Sequence, residues 1–216
     1  MNSILFNRKR LYVTGLLLLL AGSYASVNQY PPTRMQSEKS VNQEGFLLST
    51  SQADYKVYKD LKELESFSKV IVEAQVVSTA KVEEFTQNGH KIDAAGKVDV
   101  KVNQSFKGDL NPGDIITVYE PGYMEDGMYV NTEGYKNMTA SGKYMLFLAK
   151  SPEGVYAIRG LYQGKFDLTI SQPAKESDYK TTKYTLQEFD KLDYVGREVG
   201  QFNNLKKEVL SKYGSK

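Results

Sequence analysis

The sequence predicts a mainly β domain, a small barrel or sandwich with a helix at each end. Three observations predict it. In 98–106 (VDVKVNQSF), Val98, Val100, Val102 and Phe106 point one way while Asp99, Lys101, Asn103 and Ser105 point the other. That two-residue period gives a strand with one face in a core and one in water. Gly108, Pro112 and Gly113 then break the chain before the β-branched run Ile115–Tyr119, which completes a hairpin. On either side of the β-rich stretch, apolar residues recur instead at helical spacing.

Before the domain comes an address. Arg8-Lys9-Arg10, the apolar run Leu11–Ala21 and the small residues Ser23-Tyr24-Ala25 have the three parts of a secretory signal over 1–25. The run is shorter than the roughly 20 residues a spanning helix needs. An uncleaved anchor is the other reading, and through it alone would the chain meet a membrane. Leu20-Ala21-Gly22-Ser23 is similar to a lipobox with serine where the acylated cysteine belongs, so a lipoprotein is not expected. Residues 26–53 are polar and aperiodic and read as a flexible linker, with Phe46-Leu47-Leu48 as an apolar cluster that could dock on the domain at 54–216.

Within the domain, Asp54 is placed to cap a helix over 55–67, with Tyr58, Leu61, Leu64 and Phe67 on one face. A long strand is expected from Lys69 to Val82, and Asn88-Gly89 supplies a type I′ turn back toward Val98, with Gly96 marking a bulge. KYMLFLAK at 143–150 suits a central strand, Pro152-Glu153-Gly154 a turn, and Phe166, Leu168 and Ile170 a last strand. Thr185-x-x-Glu188 fits a capping box, and Gly196 and Gly200 predict a break between two C-terminal helices.

Composition removes several functions. Cysteine is absent, which excludes disulfides, thiolate metal sites and a cysteine nucleophile. The net charge of +2 owes three positives to the first ten residues, so the remainder is near neutral and no nucleic-acid partner is expected. His90 is the single histidine and cannot complete a zinc site alone. Asp109, Asn111 and Asp114 invite a calcium reading, but local turn bonding explains these residue types. No cofactor or metal is expected.

The best functional candidate is the Gly- and Tyr-rich segment 120–142 launched by Tyr119. Tyr119, Tyr123, Met124, Met128, Tyr129 and Tyr135 give it an apolar content unusual for a connection. Two readings stay open: these side chains face a partner, or they roof the barrel.

KVIVEAQVVS at 69–78, the stretch 98–122 and GKYMLFLAKSPEGVYAIRG at 142–160 together carry a resemblance to the netrin-like domains, the family of the tissue inhibitors of metalloproteinases. The chain is also similar to exported proteins of low-GC Gram-positive bacteria. The resemblance implies a five-stranded OB-like barrel with N- and C-terminal helices packed on it. It also implies a binding role, although the N-terminal cysteine by which the inhibitors grip zinc is missing. The expectation is thus a secreted or cell-surface, non-enzymatic module that binds another extracellular protein. The alternatives are an OB barrel that binds oligosaccharide and a cell-envelope enzyme with an unrecognised site.

Overall fold

The computed structural model describes residues 45–176 and 182–214; the predicted signal and most of the linker lie outside these. Ten strands are described: β1 (Leu47–Ser51), β2 (Val70–Val76), β3 (Lys81–Gln87), β4 (His90–Lys107), β5 (Ile115–Glu120), β6 (Gly122–Glu125), β7 (Met128–Thr132), β8 (Tyr144–Lys150), β9 (Tyr156–Ile158) and β10 (Lys165–Asp167). The helices are α1 (Leu61–Phe67), α2 (Leu186–Phe189) and α3 (Val199–Tyr213), with a 3₁₀ turn at Leu161–Gly164.

The larger sheet runs β10-β8-β2-β4-β5-β9, and β8 also pairs with β9. The path β2-β4-β5-β9-β8 therefore closes on itself as a five-stranded barrel. Only β5 and β9 run parallel in it, the order of an OB-like barrel. Val72, Val98, Val100, Val118, Leu146 and Leu148 fill the interior. A second apolar layer, with Ile71, Phe147 and Phe166 on the sheet side, is covered by Leu61 and Leu64 of α1 and Phe202, Leu205 and Val209 of α3. Both terminal helices thus pack on the barrel, as expected.

Several local expectations are corrected. The first helix begins at Leu61, not near Tyr55, because Asp60 rather than Asp54 caps it, accepting from Glu63 N at 2.8 Å. Residues ahead of it are held non-helical by Gln163, whose amide accepts from Tyr58 N (2.7 Å) and donates to Lys56 O (3.1 Å). The strand expected over 69–82 is two strands, β2 and β3. The bulge falls between Phe85 and Thr86; Gly96 instead permits close approach to the carbonyl of Gly122, where a Cβ would collide.

Phe106 does not enter the core. Register shifts in the β2–β4 ladder leave Phe106 without a partner on β2, and its ring meets Tyr213 of α3 at 4.7 Å. The last strand stops at Asp167, whose carboxylate captures both the amide and hydroxyl of Thr169. The linker expected through residue 53 ends sooner: β1 pairs with β7, and Phe46 and Leu48 are buried with Tyr129 and Phe189. The Asn88-Gly89 turn has both residues at positive φ, and the Thr185 capping box is complete.

Candidate functional site

The segment after β5 divides into an anchored part and a presented part. β6 and β7 form a hairpin whose turn, Asp126-Gly127, has both residues at positive φ. With β1 on the far side of β7, they make a three-stranded sheet. Pairing sets Tyr129 beside Leu48 and Met124, and Met128 beside Leu47 and Glu125. Since side chains alternate along each strand, one face carries Leu48, Tyr129 and Asn131 into the protein. The other turns Leu47, Tyr123, Met128 and Val130 outward.

The six tyrosine and methionine candidates are therefore not one surface. Tyr129 (3 % exposed) and Tyr135 (0 %) are core residues, whereas Met124 (39 %) and Met128 (42 %) are open to solvent. Tyr123 is half-buried beneath Lys91, whose ammonium lies 5.7 Å from the ring. Lys91 also bonds Glu125 and lies 3.2 Å from Glu84, tying the β6–β7 tip to the β3–β4 hairpin. Tyr119 sits apart, on the barrel's outer face, its ring edge-on to Phe85 at 5.8 Å. The roof reading thus holds for Tyr129 and Tyr135, whereas Met124 and Met128 lie at the surface and Tyr119 and Tyr123 are half-buried.

Behind the hairpin, residues 133–138 plug the barrel mouth. The Tyr129 hydroxyl accepts from Asn137 N (2.9 Å) and donates to Asn137 Oδ1 (2.6 Å), and Asn137 Nδ2 donates to Gly122 O (2.8 Å). Gly134 passes so close to Gly196 that a Cβ on either would strike backbone. Val195 N donates to Gly134 O at 3.0 Å, fixing the plug against the chain before α3.

Sequence reading overlooked two buried charge groups here. The Glu120 carboxylate, fully buried, accepts from Tyr135 Oη (2.9 Å) and Met138 N (2.7 Å) through Oε1, while Oε2 has no partner. Burial pushes its pKa up to about 7, although the Met138 amide, the Tyr135 hydroxyl, Lys165 and Lys136 all act the other way. The alternation Ile116-Val118-Glu120 was the available signal, since it directs Glu120 inward. Lys136 is also buried, 3.7 Å from Asp190; burial, then the nearby charge of Lys165, lowers its pKa to about 8.

The second group is complete. Asp193 accepts from Lys165 Nζ (2.7 Å), Lys206 Nζ (2.7 Å) and Asp167 N (2.9 Å). Burial opposes its charge, yet the two lysines prevail and hold its pKa below the usual carboxylate range. This group joins β10, the chain before α3, and α3 itself.

Elsewhere, Asn111 and Asp114 bond each other in the turn, and no group of three or more His, Cys, Asp or Glu among the described residues is placed to hold a metal ion. A shallow cavity of about 350 Å³ between α1, the end of β4 and α3 has its acid, Glu65, already bonded to Lys212 and Tyr213. No protein-family model matches the chain, and a search of curated proteins finds no match to it. No helix among the described residues is long and apolar enough to cross a membrane.

Proposed function

We propose that this protein is an exported, non-enzymatic binding module of the cell envelope that meets another surface protein through the outward face of the β1–β7–β6 sheet. One observation carries the reading: Leu47, Tyr123, Met128 and Val130 share the outward strip, Met128 exposed and the other three half-buried, of a sheet whose opposite face is locked into the core. A rigid backing lowers the ordering cost of binding, and methionine and tyrosine supply adaptable and flat apolar contacts. Lys91, Glu125 and Asp126 give the strip a polar rim of the kind contact surfaces carry. The secretory features of 1–25 and the resemblance to netrin-like domains support the same reading.

Affinity recovery from cell-surface extract tests it. Met128→Ser with Tyr123→Ala should lose a specific protein that the wild type retains. Equal recovery of every protein by both would sink the reading, and so would turnover of a substrate. Tyr129 and Tyr135 are unsuitable for this experiment because truncating them opens the core.

A second reading is an oligosaccharide site on the outer barrel face, favoured by the Phe85–Tyr119 ring pair beside Lys97 and Glu83. Sugar binding that survives Tyr119→Ala would remove it.

A further inference from the structure

Glu120 stands at the end of β5 and grips the plug at two points, the Tyr135 side chain and the Met138 backbone. Its second oxygen is buried without a donor. A neutral carboxyl meets this site with two bonds made and no charge to solvate. An ionised one strengthens those two bonds but leaves a charged oxygen in an apolar barrel, and the cost of that burial outweighs them unless the site opens to water. We infer that Glu120 is a proton-operated latch: protonated, it holds residues 133–138 in the barrel mouth, and on losing its proton to solvent it frees them and loosens the β6–β7 hairpin they support. Its bearing on binding rests on the proposed contact face; the latch itself does not.

Around the carboxyl, the plug presents Tyr135 and Lys136, β7 presents Tyr129, β8 presents Tyr144, and β10 presents Lys165. Beside it, β4 offers Gly96 and β6 offers Gly122, neither ionisable. Lys165 lies 5.5 Å from the Tyr135 and Tyr144 rings, but its ammonium is bonded to Asp193. Lys136 is drawn toward Asp190. Neither ammonium donates to the open oxygen of Glu120, so the two cations moderate the cost of ionisation without removing it. The site also lies at the junction of the barrel and the smaller sheet, where plug motion need not unpair the barrel strands.

Hydrogen exchange on the full chain tests this without any partner. Protection factors, which remove the intrinsic pH dependence of exchange, are compared for 133–138 and for β8 between pH 4.5 and 8. The plug should lose roughly a hundredfold in protection over this range and should exchange faster than β8 at every pH. Glu120→Gln, which stays neutral, should hold plug protection constant. The same loss in Glu120→Gln, or plug protection equal to that of β8, which would mean that the plug opens only with the whole fold, would overturn the latch. Should that variant not fold, carbon-detected titration of the Glu120 carboxyl in the wild type decides: a midpoint near 7 supports the latch, and one near 4.5 overturns it. Failure to find a binding partner leaves these outcomes untouched, so the two proposals fail separately.

Discussion

Glu120 and Asp193 are both carboxylates removed from water, and their surroundings push them in opposite directions. Asp193 meets two ammonium groups and a backbone amide, and both of its oxygens are used. Glu120 meets a hydroxyl and an amide on one oxygen and nothing on the other. Burial opposes charge at both sites, so the difference lies in whether cations make direct contact. One carboxylate is a permanent staple between α3 and the barrel. The other is a conditional hold on the plug.

The largest expected effect breaks the staple. Asp193→Ala leaves Lys165 and Lys206 buried without their counter-charge, and should cost about 3–5 kcal/mol in denaturant unfolding. A loss below about 1 kcal/mol would mean that water or Asp167 replaces the lost partner.

The next effect sharpens the contrast through pH. A raised carboxyl pKa stabilises the fold fully below about 4.5, and that contribution is lost as pH rises through about 7. Wild-type stability should therefore fall by about 2–3 kcal/mol across this window, and Glu120→Gln should flatten the fall. Asp193, with its lowered pKa, has the opposite sign: its contribution is present at higher pH and is lost in acid, below about 4. If the variant and wild type show parallel pH profiles, Glu120 is not the group responsible.

Smaller effects lie away from both sites. Thr185→Ala removes the hydroxyl that accepts from Glu188 N (3.2 Å) and should cost about 1 kcal/mol by thermal unfolding. Met128→Ser changes an exposed position and should move stability by less than about 0.5 kcal/mol, which makes it a clean binding variant.

What the sequence disclosed divides along the same line. Alternation at Val98–Val102, the Asn88-Gly89 turn and the Thr185 box are local signals, and the structure carries each where the residues stand. The barrel's closure through β8–β9 follows from pairings that no local window contains. Phe106 misled because a bulge breaks the period that was being read. Lys206 falls on the buried face of α3 with Phe202, Leu205 and Val209, but its partner Asp193 lies 13 residues before it, and the second cation on that carboxylate, Lys165, is on β10. The tyrosine-rich segment was found as a unit because composition ignores facing; pairing with β1 separates its inward residues from its outward ones.

The parallel pairing of β1 with β7 also orders events during synthesis. Leu47 is aligned with Met128, so β1 leaves the ribosome about 80 residues before its partner exists. At roughly 5–20 residues per second, that is a wait of about 4–16 s. The β3–β4 and β4–β5 hairpins form between near neighbours meanwhile. β1 then arrives last, as an edge strand closing over Tyr129 and Phe189, and the newborn chain carries an unsatisfied strand edge until it does.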